Sequence, residues 1–231
     1  MEKTHDMVRD IGVVLIVFAI AFNLPYAWLV LNFHYPAILR EPPGDILNAF
    51  DNGGPALILA WGCFALMALL FAPVAVAVAR VTAAPAGVTA LGVAAGVTQA
   101  IGLSRWIYVV PGLSDSWQAA DGGGRAGIEA IFMTVHQFAG TGIGEAVGQT
   151  LTGFWLIGVA VSQLRDPRYG AALAWTGIAG GAVLLLGLVD GLATVLDFDP
   201  GVFGFAAMIG FLLLTVWLIW TGLCCLRRPH V

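Results

Sequence analysis

The chain has 231 residues, of which 59% are hydrophobic and only 10% are charged, and its net charge is -4. Soluble domains carry about 25% charged residues, so this composition excludes an ordinary soluble domain and predicts an integral membrane protein. The acidic balance offers no basic surface for a nucleic-acid partner. The three cysteines do not form a disulfide framework.

Six segments are apolar over the roughly 20 residues that a helix needs to cross a bilayer core of about 30 Å. They predict one all-α domain over residues 1–231, an integral membrane bundle of six transmembrane helices. The predicted spans are Ile11–Leu31, Pro55–Ala79, Ala86–Val110, Thr141–Gln163, Ala171–Leu196 and Val202–Leu226. Pro25 and Pro73 are expected to kink the first two spans. The first apolar run continues past Ala19, which favours an uncleaved helix over a signal peptide.

The charges between the spans predict the orientation of the bundle. Seven of the ten basic residues fall on the side that holds both termini, namely Lys3, Arg9, Arg80, Arg165, Arg168, Arg227 and Arg228. The opposite side carries Arg40 and Arg125 among eight acidic residues. Because positive charge is retained on the cytoplasmic side, we expect both termini in the cytoplasm.

Two outer segments are predicted to be ordered. Asp45 precedes a short apolar segment between the first two spans and is expected to cap an interfacial helix. Before the fourth span, a continuous helix from Ile128 to Gln163 would be about 54 Å long at 1.5 Å per residue, too long for a bilayer. We therefore predict a short outer helix, a turn at Gly140–Gly144, and then the fourth span.

Three ionisable residues stand alone in long apolar runs: Arg105 in the third span, Glu145 in the fourth and Asp190 in the fifth. Such a group costs several kcal/mol in a bilayer unless it is paired or wetted. With alternating spans all three fall in the outer half, so we expect them to share a pocket. Glu145 is the favoured partner of Arg105. For Asp190 three options stay open: Arg105, a protonated His136, or a neutral carboxyl.

Neighbouring polar residues fall at the same depth. The predicted ligand-binding set is Arg105, Glu145, Asp190, Gln99, Gln149, His136 and Asn23, and Asn32 and His34 end the first span. Helical spacing places residues on one face in two polar stripes and one glycine stripe. These are Thr141, Glu145 and Gln149; Asp190, Thr194 and Asp197; and Gly140, Gly144 and Gly148. In the alternative interpretation, the amides only join helices and the ion pair only pins two spans together.

Several chemistries can be considered at this depth. Glu145 or Asp190 could serve as a general base assisted by His136. His136, Glu145, Asp190 and His34 are candidate metal ligands, and a haem between the two histidines is a further option, so the cofactor stays open. Lys3 is the only lysine, which excludes a retinal Schiff base within the membrane. Zinc-protease, hydrolase-elbow and phosphate-loop motifs are absent from the sequence.

The segment Gln99–Trp106, followed by Val110-Pro111, resembles a motif of a family of small bacterial multi-span membrane proteins known only as a domain of unknown function. Gly142–Glu145, with Gly148 and Trp155, resembles its second motif. The resemblance implies a bundle of about six helices in the bacterial cytoplasmic (inner) membrane. It also implies that Arg105 and Glu145 belong to the shared pattern, and it lends no activity.

Three functions remain as hypotheses. The first is a membrane-embedded binding or transport protein with an outward polar pocket, although the apolar inner halves of the spans argue against ion conduction. The second is an intramembrane hydrolase or transferase acting on a lipid-like substrate, with or without a metal. The third is a structural or accessory subunit of a membrane complex. The expected partners are accordingly the lipid bilayer, a small-molecule or lipid ligand, or other membrane subunits.

Overall fold

The computed structural model describes residues 2–196 and 198–227, with side chains described from residue 6 onward except that of Thr194. These residues form helices and no strands. The helices are α1 (Glu2–Phe33), α2 (Pro43–Thr82), α3 (Ala86–Tyr108), α4 (Val110–Ala119), α5 (Gly122–Val135), α6 (Gly148–Gln163), α7 (Gly170–Leu186), α8 (Leu188–Leu196) and α9 (Ala206–Leu226). Ala37–Arg40 and Gly201–Phe205 form 3-10 turns, and His136–Val147 is a π-helix, here called the π segment. Asp197 and Arg228 lie outside the described residues, as do the side chains of Lys3 and Thr194.

Five helical stretches of the described chain are long and apolar enough to cross a membrane, by length and composition. They are Asp6–Phe33, Pro43–Thr82, Ala86–Ala119, Gly170–Ala193 and Gly201–Leu226. These stretches indicate a multi-pass helical membrane protein. The predicted fourth span is divided between the π segment and α6, and α6 alone has 16 residues.

The helix that leads into the predicted fourth span is not interrupted by a turn. The backbone stays helical from α5 through the π segment into α6, and the residues at both junctions have right-handed helical dihedrals. The predicted turn at Gly140–Gly144 is therefore wrong. The glycines mark instead the place where i→i+4 hydrogen bonding widens to i→i+5, an arrangement that is rare in helices and frequent at functional sites.

A break does occur in α2, at Gly54, whose φ of 55° and ψ of -155° are not helical. Residues 43–53 therefore form a separate short helix ahead of the long span, as the sequence predicts. Asp45 does not cap this helix, because the helix already begins at Pro43, whose missing N–H costs nothing in a first turn. The N-terminal cap is Pro42. Helices α1 and α2 continue through Pro25 and Pro73.

Large apolar side chains form two clusters at opposite ends of the bundle. The terminal-end cluster, on the side of the chain termini, includes Leu15, Phe71, Val78, Leu156, Trp155 and Trp217. The far-end cluster includes Phe33, Phe50, Trp61, Trp106, Trp117 and Phe132. Helix α3 packs against α2, α6 and the π segment. This packing places the last turns of α3, with Arg105, beside the far-end cluster.

The far end is covered by a roof made of the short helix 43–53 and α4. Ser114 donates a hydrogen bond to the carbonyl oxygen of Leu47 (3.0 Å), and Trp117 Nε1 donates one to Asn48 Oδ1 (3.0 Å). A Cβ at Gly44 would lie 2.5 Å from the Trp117 ring. The two segments are therefore in direct contact over the aromatic cluster.

Candidate functional site

The guanidinium of Arg105 is buried, with 6% of the residue exposed. Its Nη1 donates to the carbonyl oxygen of Gly102 at 2.5 Å, and its Cζ lies 5.2 Å from the ring centroid of Trp106. Its Nε is buried and has no hydrogen-bond partner. A buried charge normally requires an oppositely charged group, but among the described residues no carboxylate lies within 4 Å of Arg105.

The glycine stripe of the π segment faces α3. A Cβ at Gly140 would lie 2.5 Å from Cζ of Arg105, and a Cβ at Gly148 would lie 2.7 Å from Cγ of Gln99. Between them, a Cβ at Gly102 would lie 2.5 Å from Cα of Gly144. The stripe therefore packs closely against the backbone of α3, and the Arg105 guanidinium lies directly on Gly140.

The polar stripe faces α7 and α8 instead. Gln149 Nε2 donates to the carbonyl oxygen of Leu184 in α7 at 2.9 Å. A Cβ at Gly191 in α8 would lie 3.4 Å from Cγ2 of Thr141. Glu145 lies between Thr141 and Gln149 in the sequence.

The predicted ion pair between Arg105 and Glu145 is not formed. Between the side chains that the structure describes, the ion pairs within 4 Å are Arg40–Asp190 and Arg168–Asp166. Arg105 instead lies against Gly140 and donates a hydrogen bond to the carbonyl oxygen of Gly102. The charge of Glu145 still interacts with those of Arg105, Asp190 and Arg40.

The cation next to Asp190 is Arg40, a partner that was not among the three options left open by the sequence. Arg40 ends the 3-10 turn between α1 and α2 and forms a salt bridge with Asp190 in the first turn of α8. The side chains are 49% and 26% exposed, so the pair lies at an accessible edge. Its signal in the sequence was that Arg40 is one of two cations among the acidic residues of that side.

Tyr35 is a second residue that sequence reasoning missed. Burial raises the pKa of its phenol, the negative charge of Glu145 raises it further, and the positive charge of Arg105 opposes the shift. Its ring meets Trp61 edge-on at 5.2 Å. Tyr35 therefore lies within reach of both charges and joins them to the far-end cluster.

Buried nitrogen atoms without hydrogen-bond partners are concentrated beside Arg105. They are Trp61 Nε1, Trp106 Nε1, His136 Nδ1 and Arg105 Nε, while Trp155 Nε1 belongs to the other cluster. An unsatisfied buried polar group costs about 1–3 kcal/mol, and such groups in native proteins call for an explanation. Trp217 at the terminal end, by contrast, donates to Gln163 Oε1 at 2.9 Å.

The four nitrogens share one aromatic environment. The rings of Trp61 and Trp106 are stacked, with centroids 4.7 Å apart and 7° between the planes. His136 meets Trp106 edge-on at 6.2 Å and stacks on Phe132 at 5.4 Å. Arg105 borders the same Trp106 ring. The two indole N–H groups and Arg105 Nε can only donate, so this environment holds at least three donors without an acceptor among the described residues.

Asn23 and Gln99 lie elsewhere and join helices. Asn23 Nδ2 donates to Thr215 Oγ1 at 3.0 Å, and Gln99 Nε2 donates to Thr152 Oγ1 at 2.8 Å. Gln99, Thr152 and Thr215 help to line a cavity of about 10 Å³, close to the space that one water needs. The structure therefore does not bring these two amides into the neighbourhood of the three charges.

The candidate metal ligands are not assembled. No group of three or more His, Cys, Asp or Glu side chains within the described part of the chain is placed to hold a metal ion. His34 is exposed beyond the end of α1, whereas His136 is buried with 7% exposure. The haem stays a prediction.

Comparison with known families matches one model, DUF4386, described as a domain of unknown function, over residues 11–222. No curated protein and no solved structure matches the chain. The family match covers both segments on which the resemblance was drawn, so the predicted membership in a family of unknown function is confirmed.

Proposed function

The chain belongs to the DUF4386 family, whose description names no activity, and from the site itself we propose that it is a membrane-embedded binding protein. Arg105 holds an acceptor group of a small-molecule or lipid ligand. Glu145 and Asp190 supply the neighbouring charges. The site lies between α3, the π segment and α8.

One observation carries this proposal: the buried guanidinium of Arg105 has an unpartnered Nε and no carboxylate within 4 Å among the described residues. Breaking a buried ion pair by removing one partner costs about 3–5 kcal/mol. A buried cation without a carboxylate partner would therefore destabilise the fold considerably if it had only a structural role. Guanidinium donors match the oxygens of carboxylates and phosphates. A ligand with such a group would satisfy Arg105 and add an acceptor to a donor-rich environment.

The proposed placement in the membrane rests on the distribution of charge. Arg80 lies in the last turn of α2, and Arg165 and Arg168 lie between α6 and α7, all on the side of the chain termini; Arg40 lies at the far end. The positive-inside rule then supports six crossings of a bacterial cytoplasmic membrane. The π segment together with α6 is the fourth crossing, both termini are cytoplasmic, and the site lies in the outer half.

Binding is proposed rather than ion conduction. The terminal-end cluster closes the opposite half of the bundle with side chains such as Trp155, Leu156 and Trp217, all fully buried. A conducting route requires polar groups or a hydrated pore along its length. The packing of this half supports a site that is reached from the far end.

The test measures ligand-induced stabilisation of the purified protein in detergent. Benzoate, inorganic phosphate and phosphatidylglycerol are the probes, and a ligand at 100 times its Kd adds about 2.7 kcal/mol of stability. We expect at least one probe to raise the melting temperature of the wild type and of Arg125→Gln, an exposed control at the same end. Arg105→Gln should lose the effect, and Arg105→Lys should retain only part of it. A shift that is unchanged in Arg105→Gln would overturn the proposal.

A further inference from the structure

The two central charges of the site are held apart. Within the described chain, Glu145 has no cation within 4 Å, and its carboxylate accepts no hydrogen bond, although part of the residue is exposed. Arg105 lies against Gly140 of the same π segment. A pair that served only to join helices would be expected to make direct contact.

Within the described chain, the interacting charged residues around Glu145, counted with Glu145 itself, are two basic and two acidic. They are Arg105 from α3, Arg40 from the segment between α1 and α2, Asp190 from α8 and Glu145. Tyr35 interacts with Glu145, and His136 of the π segment interacts with Arg105. Helix α6 contributes no titratable residue. Arg40 and Asp190 form a salt bridge with each other, so Arg105 and Glu145 are the two members of this described group without a salt-bridge partner.

This balance discriminates between ligands. A simple anion on Arg105 would leave an excess negative charge beside Glu145 and Asp190, and like charges repel strongly where the effective dielectric constant is low. A simple cation on Glu145 would leave the opposite excess. A ligand that carries both charges satisfies both residues and leaves the site neutral.

We infer that the ligand is a zwitterion, with its anionic oxygen on the Arg105 guanidinium and its ammonium group on the Glu145 carboxylate. This inference rests on the proposed function and names its ligand class. Tyr35 lies near both charges, and an ammonium group is attracted to the face of an aromatic ring within about 6 Å. The shared chemistry occurs in free amino acids and in the phosphoethanolamine headgroup of a lipid.

The experiment compares probes that share a three-carbon chain in the wild-type protein, and Arg105→Gln shows whether their binding depends on Arg105. In the soluble arm, β-alanine, propionate and propylamine are titrated into the protein in detergent by calorimetry. In the lipid arm, native mass spectrometry measures retention of phosphatidylethanolamine against phosphatidylglycerol. We expect the zwitterion to bind at least tenfold tighter than its singly charged analogues in one arm, and that arm identifies the source of the ligand.

Glu145→Gln tests the assignment of the two charges, with Glu41→Gln as an exposed control. Glu145→Gln should abolish the preference, so that propionate binds as tightly as β-alanine, or phosphatidylglycerol as tightly as phosphatidylethanolamine. Glu41→Gln should keep the wild-type ratio.

The outcomes separate this inference from the proposed function. Suppose that an anion binds as tightly as its zwitterionic counterpart, with or without uptake of a proton, and that this binding depends on Arg105. That result would overturn the inference of a zwitterionic ligand and leave the proposed binding function in place. The absence of any Arg105-dependent binding in both arms would overturn both. Retention of the zwitterion preference in Glu145→Gln would overturn the ammonium site alone.

Discussion

The close approach of α3 to the π segment gives a prediction whose size follows from the coordinates. In Gly102→Ala, the new Cβ would lie 2.5 Å from Cα of Gly144 and 2.9 Å from the carbonyl oxygen of Ala139. Both are backbone atoms and cannot rotate away. Since ordinary contacts begin near 3.4 Å, the two helices must separate by about 1 Å, and a gap of that size forfeits about half of the dispersion energy of the contacts it opens.

Overpacking of this kind costs about 1–3 kcal/mol, and the backbone contacts place Gly102→Ala at the upper end. Alanine regains about 1 kcal/mol of helix propensity over glycine, so the net loss of folding stability is about 2 kcal/mol. At about 1.4 kcal/mol per tenfold, this loss is about 30-fold in the folding equilibrium. Gly62→Ala is the matched control, because nothing lies within 4 Å of its Cβ. It should gain about 0.5–1 kcal/mol.

The assay is denaturant unfolding in mixed micelles, followed by the fluorescence of the eight tryptophans. Gly102→Ala should unfold at a lower denaturant concentration than the wild type, and Gly62→Ala at a slightly higher one. Equal midpoints for the two variants would refute the close contact between α3 and the π segment, and with it the placement of Arg105 on Gly140.

Three further predictions concern other parts of the molecule. Gly140→Ala should push the buried guanidinium aside and weaken ligand binding by more than tenfold in calorimetry, with a melting temperature within a few degrees of the wild type because the displaced atoms end a flexible side chain. Tyr169→Phe should lower stability by about 1 kcal/mol in thermal unfolding, because it removes a buried hydrogen bond of 2.6 Å to a carbonyl at the end of α2, whereas Tyr108→Phe, at 81% exposure, should change nothing. Hydrogen bonds from the neighbouring arginine lower the pKa of Asp166 below its ordinary 3.8. The contribution of Asp166 to folding stability is therefore fully present above pH 3.8 and is lost as the pH falls through the lower pKa of the folded state. Asp166→Asn should flatten this acid limb of a curve of stability against pH, and an unchanged limb would refute the assignment.

The fold class could be predicted from composition and apolar length alone. The interaction of Glu145 with both Arg105 and Asp190 also follows from the sequence, since lone charges in alternating spans fall at one depth. What the pattern could not give is which face each charge occupies. Face assignment assumes 3.6 residues per turn, and the π segment changes that period at the residues that matter.

The partner of Asp190 was beyond sequence reasoning for a different reason. Arg40 lies about 150 residues earlier, in a connecting segment whose path over the bundle depends on how Tyr35 and the short helix 43–53 pack. Hydropathy predicts the membrane-spanning segments but does not predict where the connecting segments lie. The unpartnered tryptophan nitrogens are equally hidden, because whether an indole N–H finds an acceptor depends on packing.

The roof over the far end has a consequence for biogenesis. Asn48 accepts hydrogen bonds from both Trp117 and Gln118, which are synthesised some 70 residues later. Helix 43–53 is therefore synthesised well before α4. We expect it to lie at the membrane surface without α4 over it until α2 and α3 have been inserted. A nascent chain arrested before residue 110 should leave this helix open to protease, and one extended past residue 120 should shield it.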